Sequence, residues 1–316
     1  MRRVFFLFLD GVGLGAPDPA RNPFAKTDMP NLQSLLGGRK LVADSAPYDG
    51  DLATLLALDA RLGVKGVPQS ASGQAAILTG RNIPAEINEH YGPKPNAPIR
   101  DIIKKDNLFF KIKAKGGSAA LLNAYPPRYF EAVQSGRRLY SGIPMAITAA
   151  GFDLKTAQDL QAGQALSADF TGEGWAQQPG FPPAPVYNPH QAGHLMAELA
   201  SQQDLTLFDY WLSDYVGHRG TMEQAVEVLA TFDAVLGGFL KGWEVDHNLI
   251  VMCSDHGNLE DLDQRGHTLN PVPGLVIGPA DLRAQFCQGL TDLTGLTPAF
   301  LRALSIPSNQ TVDHKA

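Results

Sequence analysis

The run Val4-Phe5-Phe6-Leu7-Phe8-Leu9, ended abruptly by Asp10-Gly11, restricts the fold more than any other stretch of this chain. Six residues are too few to span a membrane and suit a strand. With no polar residue at alternate positions, that strand has no solvent face and needs cover on both sides, as in a parallel sheet flanked by helices. Arg2 and Arg3 before it imitate the start of a secretory leader, but Asp10 arrives before the apolar segment reaches leader length. The expectation is a cytoplasmic protein that does not enter a membrane.

Further short apolar runs alternate with helical patterns at Leu205 to Leu212, Thr221 to Lys241, Leu249 to Cys253, Leu275 to Ile277 and Pro298 to Leu304. This alternation predicts an α/β fold with a mainly parallel central sheet flanked by helices. The middle of the chain is different, rich in Pro, Gly and basic residues. The expected organisation is a catalytic α/β domain from 1–80 plus 200–316 and a smaller inserted cap from 81–199. At 316 residues and 44% hydrophobic, the chain has enough apolar material for that arrangement. Its formal charge of -6 argues against generic nucleic-acid binding. Between Arg81 and Tyr140, however, eleven Lys or Arg face five acids, a local excess able to focus an anionic substrate. The two cysteines, Cys253 and Cys287, make no disulfide framework and fit a reducing compartment.

Candidate chemistry gathers at strand ends. Asp10 follows the first strand, and Asp255-His256-Gly257-Asn258 follows the run ending at Cys253. Asp214 and His218 are four apart, which puts them on one face of a helical turn. His267 precedes another expected strand. In open α/β sheets ligands bind outside the carboxyl ends of strands. Three Asp and three His could there hold two divalent ions. The remaining histidines, His90, His190, His194, His247 and His314, have no such company and are assigned to surface or core. Ser70, in Pro68-Gln69-Ser70-Ala71-Ser72-Gly73-Gln74, opens an expected helix whose N-terminus favours an anion. It is either a nucleophile or simply a helix cap, and Ser72 is its neighbouring rival.

The ordered set Asp10, Ser70, Asp214-x-x-x-His218, Asp255-His256-Gly257-Asn258 and His267-Thr268-x-Asn270-Pro271-Val272-Pro273 resembles the alkaline phosphatase superfamily of metalloenzymes, most closely the cofactor-independent phosphoglycerate mutases and then the phosphopentomutases. The resemblance implies that Asp10, Ser70, Asp255 and His256 hold one metal and that Asp214, His218 and His267 hold the other. It makes Ser70 the residue transiently phosphorylated, with Mn2+ as the first expected ion and Zn2+ the second. Alignment of Gly73 with the family's glycine favours Ser70 over Ser72. Where the mutases commonly carry a His after that glycine, this chain has Gln74, a departure that leaves metal binding intact and bears on the neighbouring substrate contact. The insertion is much shorter than theirs, so their substrate arginines do not transfer. Arg100 and Arg128 are candidate clamps for a phosphate or carboxylate because a guanidinium binds either bidentately. The expected activity is phosphoryl transfer on a small anionic phosphomonoester, as an isomerase (mutase) or a hydrolase (phosphatase). A phosphodiesterase and a non-catalytic metal-binding regulatory protein are the alternatives.

Overall fold

The computed structural model describes residues 2–305; His314 lies outside them. Strand β1 (Val4–Leu9) is buried at all six positions. Its alternation divides the interior in two: Val4, Phe6 and Phe8 face one apolar core, and Phe5, Leu7 and Leu9 face the other. Eight further strands follow in chain order: β2 (Tyr48–Asp49), β3 (Ala53–Leu58), β4 (Ala119–Leu121), β5 (Ala124–Tyr125), β6 (Lys155–Thr156), β7 (Leu205–Tyr210), β8 (Leu249–Cys253) and β9 (Val272–Ile277). The main sheet has the order β2-β3-β9-β8-β1-β7-β4. Strands β4, β7, β1 and β8 are mutually parallel, β9 runs against β8, and β3 runs against β9, so all but β9 and β2 point one way. The fold is α/β with a mostly parallel sheet flanked by helices.

This topology decides where the loops go. The carboxyl ends of β1, β7, β8 and β3 lie at one edge. Because β9 is reversed, its amino end comes to that same edge, with Leu58 of β3 opposite Val272. Five separate segments therefore converge there.

The stretch 81–199 does not stand off the sheet as a separate cap. Its β4 pairs with β7 as the seventh strand. Helices Ala97–Lys105, Leu108–Ala114 and Gly142–Ala149 bury Ile99, Ile103, Phe109 and Ile147 in the core that contains Phe6 and Phe8. Helix Pro189–Ala200 packs along helix Met222–Gly242. What remains apart is smaller: the two-stranded sheet β5-β6 and an apolar cluster of Ala124, Ala157, Leu160, Ala165 and Trp175. A three-residue strand of Ala-Ala-Leu has too little pattern to be read from sequence, which is why β4 escaped notice.

Glycines allow the closest helix contact. A Cβ on Gly193 would strike the carbonyl of Val235 and lie 2.6 Å from the amide of Phe239. Gly193→Ala is expected to force helices Pro189–Ala200 and Met222–Gly242 apart and lower stability by about 2 kcal/mol, measured by urea denaturation. An unchanged midpoint would contradict the packing.

Candidate metal centre

Asp10 follows β1, Asp214 and His218 lie on helix Leu212–Arg219 just after β7, and Asp255 and His256 follow β8. His267 comes before β9, and Ser70 is the first residue of helix Ser70–Thr79. All seven side chains meet at the converging edge. Gly11, at φ +68, lets the first loop pass beside the third: a Cβ there would lie 2.5 Å from Asp214 Oδ1. The Ser213 hydroxyl donates to the carbonyls of Asp10 (2.6 Å) and Tyr210 (2.8 Å), tying β1 to β7.

The three imidazoles are oriented by main-chain carbonyls. His218 Nδ1 lies 2.9 Å from the Arg265 carbonyl, His267 Nδ1 2.8 Å from that of Pro68, and His256 Nδ1 3.4 Å from that of Gly257. A carbonyl only accepts, so each ring donates from Nδ1 and presents its Nε2 inward. The Nε2 atoms of His218 and His267 are 3.2 Å apart. His256 Nε2 lies 3.4 Å from Asp10 Oδ1 and 3.7 Å from Asp255 Oδ2; His218 Nε2 lies 3.4 Å from Asp214 Oδ1. The rings of His256 and His267 stack at 3.7 Å. Among the described residues no Lys or Arg pairs with Asp10, Asp214 or Asp255, and Asp10 Oδ1 and Asp255 Oδ1 are buried without a hydrogen-bond donor.

Electrostatics agree with the geometry. Burial, with repulsion from Asp255 and Asp214, pushes the Asp10 carboxyl well above the usual range. Burial and Asp214 do the same to Asp255. Burial and the neighbouring rings hold His256 neutral, and burial lowers His267. A pocket of lone pairs with so few donors has the chemistry of a cation site, and its oxygen and imidazole donors suit a divalent metal. Two groups have ligand atoms within 4.8 Å of one another, Asp10/Asp255/His256 and Asp214/His256/His267, with His256 common to both.

The support around this cluster contains a residue the sequence reading missed. Glu260 accepts from the amides of Gly13 (2.8 Å) and Asn258 (2.7 Å), from the Thr268 hydroxyl, and from Asn270 Nδ2 (3.0 Å). One buried carboxylate thus binds the loops after β1, after β8 and before β9. Its only sequence signal was its place two residues after Asn258. Asn258 Nδ2 in turn donates to Asp214 Oδ1 at 2.7 Å. Ser254 Oγ accepts from the Val12 amide and donates to the His256 carbonyl. Gln74 Nε2 donates to Asp255 Oδ2 at 3.3 Å, so the residue that departs from the mutase pattern faces a carboxylate. The Cys253 thiol faces the opposite way, into the apolar core, where burial raises its pKa.

The two serines are now distinguishable. Ser70 Oγ lies 2.9 Å from His256 Nε2, and the helix cap position is Gln69 instead. Ser72 is fully buried, donating to the Gln69 carbonyl and accepting from the Tyr91 amide. His90, His190, His194 and His247 lie outside the cluster. Of the two arginines, Arg100 donates to the Pro95 carbonyl at 3.1 Å and lines no described cavity. Arg128 lines a cavity of about 850 Å³ beside the cluster. It sits in the first turn of helix Pro127–Gln134. That cavity shares Trp211 and Leu212 with the end of β7 but is lined by none of the seven clustered residues.

Asp209, also at the end of β7, is buried with Oδ1 unpartnered, while its main chain is clamped by Asn123, which accepts from its amide (2.7 Å) and donates to its carbonyl (2.9 Å). Burial pushes its carboxyl up to about 7.

Comparison with known proteins gives this geometry a family context. The chain is similar to the metalloenzyme superfamily. The match to that family model covers residues 188–307, which include Asp214, His218, Asp255, His256 and His267. The 2,3-bisphosphoglycerate-independent phosphoglycerate mutase of Dinoroseobacter shibae is 31% identical over 119 residues, 35% of this chain and 23% of the relative. That of Myxococcus xanthus is 30% identical over 137 residues, 39% of this chain and 26% of the relative. The chain thus matches about a quarter of the length of these mutases. In fold it is similar to the PH0037 protein from Pyrococcus horikoshii (TM-score 0.58, 14% identity, covering 98% of this chain and 99% of that one). It is also similar to the phosphoglycerate mutase of Leishmania mexicana (TM-score 0.50, 12% identity, covering 99% and 97%). Among the described residues no helix is long and apolar enough to cross a membrane.

Two outcomes are expected. Glu260→Ala leaves four donors without their acceptor, so stability should fall by about 3 kcal/mol and the equilibrium content of added divalent metal should drop, read by denaturation and elemental analysis. Because the folded chain keeps the Asp209 proton to higher pH than the unfolded chain, stability is lost as pH rises from about 4 to 7. Asp209→Asn should therefore stabilise the chelator-treated protein by roughly 2 kcal/mol more at pH 8 than at pH 5.5. An equal effect at both would mean that Asp209 is ionised throughout.

Proposed function

We propose that this chain catalyses phosphoryl transfer from a small phosphomonoester through a phosphoserine at Ser70. The observation that carries this reading is the position of the Ser70 hydroxyl, at the start of a helix and in contact with a cluster of three carboxylates and three imidazoles. Asp10, Ser70, Asp255 and His256 would hold one divalent ion, and Asp214, His218 and His267 a second. Manganese is the first choice and zinc the next. Such ions lower the pKa of a ligating hydroxyl and neutralise charge on a phosphoryl group.

The protein's own residues do the rest. The amino end of helix Ser70–Thr79 directs its positive pole at the phosphoryl oxygens. Ser72, held by two main-chain contacts, keeps the helix start in place and leaves Ser70 as the free nucleophile. The Ser70 hydroxyl gives up its proton to solvent as Oγ bonds to phosphorus, the ester's P–O bond breaks, and the departing alkoxide takes up one proton from solvent, so no net proton is consumed. Gln74 and Asn258 fix the carboxylates of Asp255 and Asp214 so that neither rotates as charge moves. Arg128, exposed at the mouth of the neighbouring cavity, is the clamp for an anionic group of the substrate. The cap would comprise the β5-β6 layer and its cluster rather than the whole of 81–199. The acceptor of the second transfer, the same alcohol or water, separates a mutase from a phosphatase.

The test is phosphorus NMR of the manganese-loaded protein with a pool of sugar phosphates and phosphoglycerates. New phosphate-ester signals without inorganic phosphate identify a mutase, and inorganic phosphate from one ester identifies a phosphatase. Ser70→Ala should reduce turnover at least about a thousandfold with bound metal largely retained, whereas Ser72→Ala should leave a phosphoserine detectable by mass spectrometry. Undiminished turnover in Ser70→Ala would refute the mechanism.

A further inference from the structure

The cavity beside the cluster has a chemistry of its own. Three guanidiniums, Arg128, Arg137 and Arg138, line it, and among the described residues none of them forms an ion pair. Arg128 lies over the ring of Phe181 at 4.2 Å and Arg138 over that of Tyr129 at 4.8 Å, so each cation rests against an aromatic wall. Trp175 meets Phe181 edge-on at 4.6 Å, with its indole N–H donating to the Pro182 carbonyl, and Trp211 stands partly exposed at the side nearest the cluster. The two lining acids are Glu131, which is exposed, and Asp169, which is held by the hydroxyls of Ser167 and Thr171 and the amide of Gly174. Three guanidiniums against two carboxylates leave the lining with a small positive excess, and its other walls are largely aromatic.

Its size adds a constraint. At about 850 Å³ it approaches the upper end of the range of small-molecule sites. A three-carbon phosphoester would leave most of that volume and all of the aromatic walls unused. Flat, electron-rich walls with guanidiniums laid on them select a planar unsaturated ring, and the unpaired cations select a negative charge borne by the same molecule.

We infer that this cavity takes the alcohol part of the substrate and that this part is a planar ring system carrying its own anionic group, as in a nucleotide. The inference rests on the phosphoryl-transfer reading for the word substrate, but the binding site itself stands on the cavity alone. It lies outside the cluster, so binding there is measurable without metal.

The test uses the full chain treated with chelator and follows tryptophan fluorescence. Trp175 and Trp211 line the cavity, while Trp243 is buried against Phe5 and Phe239. The probes are adenosine 3′,5′-bisphosphate, with ring and charge; adenosine, with ring alone; and 3-phosphoglycerate, with charge alone. The bisphosphate should quench saturably and bind at least about tenfold more tightly than either other probe, and Arg128→Ala and Arg138→Ala, both at exposed positions, should each weaken it about tenfold. Absence of saturable quenching, equal or tighter binding of 3-phosphoglycerate, or full affinity in both arginine variants would overturn the inference. If the bisphosphate binds as expected but no phosphoserine forms on the manganese-loaded chain, the ligand site stands and the phosphoryl-transfer reading falls. If phosphoserine forms from 3-phosphoglycerate and the bisphosphate does not bind, the ring-binding inference falls alone.

Discussion

Buried carboxylates and imidazole lone pairs that point at one another repel, and nearly everything at the converging edge of this sheet is arranged to hold them there. Among the described residues no Lys or Arg shares the pocket's charge, so restraint falls to hydrogen bonds from outside. Main-chain carbonyls turn the three rings, Asn258 and Gln74 hold two carboxylates, and Glu260 fastens three loops with four accepted hydrogen bonds. A cluster kept together at such cost in an otherwise apolar interior fits a role that the cluster performs and the fold does not require.

The sheet makes this convergence possible with few residues. Parallel β1, β7 and β8 bring Asp10, Asp214 and Asp255 to one edge, and the reversed β9 brings His267 from the other chain direction. The same alternation that buries β1 on both faces sends Phe6 and Phe8 under the helix that begins at Ser70. Strand, helix and site are thus consequences of one pattern, seen at its clearest in the first nine residues.

Much of this was legible because the site is made of short local motifs. Asp214 and His218 at helical spacing, and Asp255-His256 after an apolar strand, announce their positions without any long-range information. Glu260 was not legible, because its importance comes from donors in three loops that are distant in sequence. β4 was hidden by its brevity, and β3, in which half-buried Leu56 is followed by exposed Ala57, breaks the alternation. Arg100 and Arg128 looked equivalent as side chains; only the fold turns one to a proline carbonyl and the other to a cavity. Ser70 and Ser72 were separated by hydrogen bonds that no spacing encodes.

The outward turn of Cys253 carries a consequence for selectivity among ions. It stands two residues before Asp255, yet its thiol is buried on the apolar-core side, donates to the Ser254 carbonyl at 3.3 Å and stays protonated. The cluster therefore offers only oxygen and nitrogen, and a thiophilic ion arriving at this edge finds no sulfur within the pocket to hold it. Thiol-blocking reagents, for the same reason, have no handle on the centre while the sheet remains folded.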